Sequence, residues 1–196
     1  MLAPSGIRLI VGLGNPGPDY ASTRHNAGAW WVNALATEFN ATLRVEKKWQ
    51  AFGTLITTPV GDCHLLLPQT YMNNSGLSVS SCAQFYRIPA HQILIAHDEL
   101  DFSPGTLRLK YDGGAGGHNG LKDIQKALGS PTFYRLRIGI GHPGHRDEVH
   151  DYVLGRPSKH DAATITEALT FATACIPEFL QGQFSKIMQI LHDRPV

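Results

Sequence analysis

The chain has 196 residues, 42% of them hydrophobic and 17% charged, with 20 glycines and 12 prolines in no periodic arrangement. At roughly 150 residues per domain this predicts one domain over residues 1–196, and it excludes charge-driven disorder and collagen-like repeats. Seventeen Lys and Arg against sixteen Asp and Glu leave a formal charge of +1, a balance that by itself argues against a nucleic-acid partner, because phosphates call for surplus cations.

Ile7 to Leu13 has the continuous apolar run of a buried strand before a glycine-rich turn. Asn26 to Phe39 reads as a helix with Trp30, Trp31, Leu35 and Phe39 near one face. Phe52–Thr58 and Cys63–Leu67 read as strands joined by a hairpin at Val60-Gly61-Asp62, and Ser75–Tyr86 as a helix. Ile93–Ala96 is a short apolar strand leading into His97-Asp98-Glu99. Thr106–Tyr111 alternates as a half-buried strand does, Gly120–Leu128 is helical, and Leu136, Ile138 and Ile140 mark a further strand. From about residue 159 to 196 the pattern is helical, interrupted by Pro177 and Gly182. The predicted fold is α/β: a single domain with a twisted mixed β-sheet and helices packed on both faces.

No apolar run approaches the ~18 residues needed to cross a bilayer, so no membrane partner is expected. The opening MLAPSGIRLIVGLG has too short an apolar core for a signal peptide. Cys63, Cys82 and Cys175 fit neither a C-x-x-C motif nor a zinc spacing. Together these predict a cytoplasmic chain.

Gly12-Leu-Gly-Asn-Pro-Gly17 matches the dinucleotide fingerprint G-x-G-x-x-G. Its context fails: Pro16 and Pro18 obstruct an immediate helix start, and Glu38, about where the ribose-binding acid belongs, falls inside a helix. The glycines instead shape a loop that brings Asn15 to the end of a strand. The segment Asp112-Gly-Gly-Ala-Gly-Gly-His118-Asn119-Gly120 feeds a helix N-terminus, where backbone N–H groups favour an anion. Polar residues follow three strands: Asn15, the stretch Gln69–Asn74, and Asp98, the positions at which open α/β sheets bind ligands. Next to a helix start, His25 is disfavoured as a cation and suited to act as a neutral base, with an acid such as Asp98 to fix its tautomer. Local sequence leaves this even with a helix-capping role. His142, His145 and His150 lie around Pro143-Gly144, which prevents helical presentation, so no metal is expected there. With no G-x-S-x-G and no Cys in a suggestive setting, activated water is the simpler nucleophile.

Several blocks together resemble the bacterial peptidyl-tRNA hydrolase family. They are Leu9-Ile-Val-Gly-Leu-Gly-Asn-Pro-Gly, Thr23-Arg-His-Asn-Ala-Gly, Tyr71-Met-Asn-Asn-Ser-Gly, His97-Asp-Glu-Leu-Asp, Gly116-Gly-His-Asn-Gly-Leu-Lys-Asp and Arg135-Leu-Arg-Ile-Gly-Ile-Gly-His-Pro-Gly, in the family's order. The resemblance implies hydrolysis of the ester between an N-blocked peptide and the 3′ ribose of tRNA, without cofactor, metal or covalent intermediate, by a monomer. His25 matches the family's general base, Asp98 the carboxylate that keeps it basic, and Asn15 the asparagine tied to rejecting free α-amino groups. Asn73 and Asn119 match residues that hold the peptide backbone and position water. Tyr20, Tyr71 and Met72 match the surrounding cleft, and Lys110 and Arg137 basic positions for tRNA phosphates. Ala115 and Asn74 depart from the family's usual residues, which implies altered affinity or loop behaviour rather than lost activity. The alternative is a non-catalytic RNA-binding relative of splicing type; a nucleotide-dependent oxidoreductase is weaker still.

The charge balance changes in this light. Between Pro104 and Arg146 stand seven Lys and Arg (Arg108, Lys110, Lys122, Lys126, Arg135, Arg137, Arg146) against Asp112 and Asp123 alone. A local surplus of this kind predicts a salt-sensitive, moderate grip on tRNA.

Overall fold

The structure is a computed structural model and describes residues 5–194; the outer ends of the predicted 1–196 domain lie outside the described residues. Seven strands form one mixed sheet: β1 (Leu9–Gly12), β2 (Arg44–Glu46), β3 (Ala51–Thr58), β4 (Gly61–Pro68), β5 (Ile93–Glu99), β6 (Leu107–Tyr111) and β7 (Tyr134–Gly139). They lie in the order β2-β3-β4-β1-β5-β7-β6. The four central strands are parallel, while β2–β3, β3–β4 and β6–β7 pair antiparallel. Strands covered on both faces need apolar side chains on both, which is why β1 is buried at all four positions and β5 opens on Ile-Leu-Ile-Ala.

The helices are α1 (Ala27–Glu38), α2 (Ser75–Tyr86), α3 (Asn119–Leu128), α4 (Val149–Leu154), α5 (Lys159–Ala174), α6 (Ile176–Leu180) and α7 (Phe184–Asp193). One core cluster joins Ile10, Leu94, Leu136 and Ile138 to residues of α1, α5, α6 and α7, among them Trp31, Ile165, Phe179 and Ile187. The other joins Leu9, Val11 and Ile95 to Val79 and Cys82 of α2 and Leu121 and Ile124 of α3. Helices therefore cover both faces, as expected. All three cysteines are reduced and buried, Cys63 and Cys175 in the first cluster and Cys82 in the second.

The differences from expectation are local. β5 runs through His97 and Asp98 to Glu99, because β7 pairs with it as far as Glu99↔Gly139; Asp98 is a strand residue, not a loop residue. The exposed three-residue β2 carries too short a pattern to read and exists through its pairing with β3. Helix α4 is equally short and is docked by Arg24, whose guanidinium lies 4.0 Å from the Tyr152 ring centroid and donates to the Tyr152 carbonyl at 3.1 Å. The interruptions expected at Pro177 and Gly182 are present: α5 ends at Ala174, Pro177 sits in the first turn of α6, where its missing N–H is not needed, and α7 starts after Gly182.

Candidate active site

His25 and Asp98 are brought together by backbone contact. A Cβ built on Gly28 would lie 2.1 Å from the Ala96 carbonyl oxygen, and one on Gly12 2.4 Å from the Gly28 oxygen. The start of α1 is thus pressed against β1 and β5. The first glycine of the G-x-G-x-x-G match serves helix packing, and the chain beyond β1 continues as a loop, with α1 starting only at Ala27. The 3-10 turn Arg24–Asn26 immediately before α1 then places His25 over the end of β5.

His25 Nδ1 stands 2.9 Å from Asp98 Oδ2 and 3.0 Å from Oδ1. Donation of Nδ1–H to the carboxylate leaves the lone pair on Nε2. Burial is the largest influence on His25 and disfavours its charged form, but the charge and hydrogen bond of Asp98 outweigh it and the net pKa is raised. The expected helix-start effect, favouring a neutral ring, is therefore overridden. Burial acts to raise the Asp98 pKa, yet His25 and His118 hold it below the ordinary carboxylate range.

His118 is the residue whose role the sequence did not reveal. Its Nε2 is 2.9 Å from Asp98 Oδ1, while its Nδ1 accepts from the N–H groups of Gly120 at 3.2 Å and Leu121 at 3.4 Å. An acceptor at Nδ1 puts the proton on Nε2, so His118 donates to Asp98 and caps α3 at once. Two N–H groups of the first turn of α3 are thereby taken, which corrects the expectation that this helix end is open to an anion. The signal was present as a histidine directly before a helix start. Behind it, His97 is buried; its Nδ1 bonds the Asp98 carbonyl at 2.7 Å and its ring meets His118 edge-on at 5.0 Å. Burial above all pushes the pKa of His97 down to about 3, so it is neutral.

Asn15 is locked through Asn26: the Asn15 N–H donates to Asn26 Oδ1 at 2.9 Å and Asn26 Nδ2 to the Asn15 carbonyl at 3.0 Å. Asn15 Oδ1 accepts the Met72 N–H at 2.8 Å, which ties the loop after β1 to the turn after β4. Its Nδ2 makes no hydrogen bond among the described residues, so Asn15 offers this site a donor first. Met72 is buried, and its sulfur would lie 2.6 Å from a Cβ on Gly120; this glycine lets α3 close onto the cleft. Asn73 and Asn119 are exposed on the two facing elements. Tyr20 and the exposed Tyr71 meet edge to face at 6.4 Å.

The basic residues divide. Lys110, Lys122 and Lys126 are exposed. Arg137 gives its Nε to Glu99 Oε2 at 2.8 Å and lies over Phe102. Arg135 is buried and donates to the carbonyls of Gly113 and Gly114, anchoring the glycine loop. His142, His145 and His150 join no three-ligand group among the described residues. One ligand atom each from His25, Asp98 and His118 does lie within 4.8 Å of the others, but a cation there would have to displace both N–H protons that bind the carboxylate.

A histidine with a free Nε2, a buried carboxylate behind it and uncharged amides around it can activate water against an ester. The family model for "Peptidyl-tRNA hydrolase" matches residues 9–196. A peptidyl-tRNA hydrolase from Coxiella burnetii (strain CbuG_Q212) is 52% identical over 187 residues, 95% of this chain and 98% of that protein. One from Legionella pneumophila (strain Lens) is 53% identical over 182 residues, 93% and 96% of the two chains. The crystal structure of peptidyl-tRNA hydrolase from Acinetobacter baumannii superposes with a TM-score of 0.92 at 47% identity, covering 96% of each chain.

Proposed function

Because the chain belongs to the peptidyl-tRNA hydrolase family, we propose that water activated by His25 cleaves the ester between peptide and tRNA. The chain is an ester hydrolase acting on peptidyl-tRNA. His25 Nε2 takes a proton from water as the oxygen attacks the ester carbonyl. The resulting imidazolium is stabilised by Asp98 through Nδ1–H. On collapse of the tetrahedral intermediate, the same proton passes to the departing 3′ oxygen of the ribose, and the peptide leaves with a free carboxyl group. The observation that carries this reading is the His25 Nδ1 bond to Asp98 at 2.9 Å, which reserves Nε2 for the water.

Asn73 and Asn119 hold the peptide backbone, and their amides serve the developing oxyanion without placing a charge in the site. Asn15 selects the substrate. With Oδ1 engaged by Met72, its Nδ2 donates to the acyl carbonyl that only an N-blocked substrate carries, and an ammonium group meets a donor instead of an acceptor. Tyr20, Tyr71 and Met72 wall the cleft, and Lys110 is the freer of the two proposed phosphate contacts, since Arg137 is shared with Glu99. Three unpaired buried cysteines support a reducing compartment such as the cytoplasm, and the single seven-stranded sheet supports one domain; that the chain acts as a monomer is carried by the family resemblance alone. The deciding experiment compares cleavage of N-acetyl-aminoacyl-tRNA with that of unblocked aminoacyl-tRNA by purified protein. Rapid cleavage of the first alone is expected, and no cleavage of either would support the RNA-binding alternative.

A further inference from the structure

Strand order separates the two ends of the substrate. The asparagine cleft lies on the β4 and β1 side of Asp98, whereas β7 and the edge strand β6 lie on the other. Tyr111 ends β6, and it ends a stack of three rings: Phe184 of α7 and Tyr134 of β7 lie 3.8 Å apart at 19°, and Tyr134 and Tyr111 4.6 Å apart at 41°. Phe184 and Tyr134 close the sheet edge over the core, while Tyr111 remains 42% exposed. Its neighbour Lys110 is exposed and makes no ion pair among the described residues. Tyr111 pairs with Tyr134, which pairs with Leu94, four residues before Asp98 on β5. At ~3.3 Å per residue and ~4.8 Å per strand, Tyr111 is about 16 Å in a straight line from Asp98, toward the other end of the strands, so a single strand joining the two follows a longer path around the sheet edge.

We propose that Tyr111 is a stacking platform for an unpaired nucleotide near the 3′ end of the tRNA; Lys110, which leaves the other face of the same edge strand, takes a phosphate farther along the chain. The proposal rests on the peptidyl-tRNA reading above. Every base has a π-face for an aromatic ring, and a ring already held in a stack loses little freedom when a base is added. The exposed Lys110 on the same edge strand, without an ion pair among the described residues, favours a polyanion over a peptide. The contact is independent of sequence, as suits an enzyme that must accept many tRNAs.

The test uses two esters, N-acetyl-aminoacyl-tRNA and N-acetyl-aminoacyl-adenosine, the second lacking every upstream nucleotide. Tyr111→Ala is expected to raise KM for the tRNA substrate about tenfold with kcat unchanged, and to leave both constants for the adenosine ester as in wild type. Tyr111→Phe, which keeps the ring, restores the wild-type KM. Equal losses on both esters, or an unchanged KM for the tRNA substrate, would overturn the proposal. Cleavage of the adenosine ester by the wild type reports separately on the hydrolase itself.

Discussion

His118 donates Nε2–H to Asp98 at 2.9 Å, on the same carboxylate that receives the Nδ1–H of His25. One buried anion thus orients two imidazoles. The first precedes α1 and leaves its Nε2 without a hydrogen bond among the described residues, and the second is built into the start of α3. The glycine loop and His25, the proposed base, are coupled through this carboxylate, and each can be perturbed separately.

His25→Ala removes the base and leaves the backbone contacts of Gly12 and Gly28 in place. Cleavage of N-acetyl-aminoacyl-tRNA should fall by roughly 10²–10⁴-fold with circular dichroism and thermal midpoint near wild type. Wild-type turnover would remove His25 from the mechanism.

The pH profile tests the His25–Asp98 pair. His25 must be neutral to accept a proton, and its pKa is raised above 6.5 by Asp98 against the opposing effect of burial. The logarithm of kcat/KM should therefore rise with pH to a midpoint above 6.5. In Asp98→Asn the raising influence is gone and burial remains, so the midpoint should move down while the plateau falls. A midpoint that stays in place would mean that another group is being titrated.

His118→Ala deletes a helix cap and one donor to Asp98. Loss of the cap should cost about 1 kcal/mol, read as a thermal midpoint lower by several degrees. It should also lower kcat, though less than His25→Ala does. A stability loss with unchanged kcat would make His118 only a cap.

His97 sets part of the acid limit of stability. Its folded pKa is lowered from 6.5 to about 3, so between those values the unfolded chain binds a proton that the folded chain refuses. The stabilisation it contributes is present above pH 6.5 and is lost as pH falls toward 3. The urea midpoint of His97→Leu should depend less steeply on pH across this window than that of the wild type; parallel slopes would contradict the assignment.

Much of the fold was legible because the central strands are parallel and buried on both faces, so their apolar runs stand out. The limits of α2 could be read outright, since a polar turn precedes it and Ile88-Pro89 follows. β2 and α4 were not legible, because three or six residues held by pairing or by one arginine carry no periodicity. At the site, Asn15 and Asp98 lie just beyond apolar runs and His25 just before a helix, so each could be found by position, and the family resemblance supplied their roles. The grip of His118 on Asp98, the lock of Asn26 on Asn15 and the burial of Arg135 depend on side chains meeting across 20, 11 and 21 residues of sequence. Such partnerships follow from the folded geometry, and local pattern does not encode them. Arg135 illustrates this: counted as surface charge in the sequence, it is a buried anchor of the glycine loop.

The three reduced cysteines make the core a clock. Burial, the largest influence on each, raises the thiol pKa of Cys63, Cys82 (to about 12) and Cys175, so none is an effective nucleophile while the fold is closed. A thiol reagent can reach them only when the structure opens. Cys63 and Cys82 lie in clusters on opposite faces of the sheet. The labelling rate of each therefore times the opening of its own helical layer, and the ratio of the two rates shows whether the layers part together or one at a time.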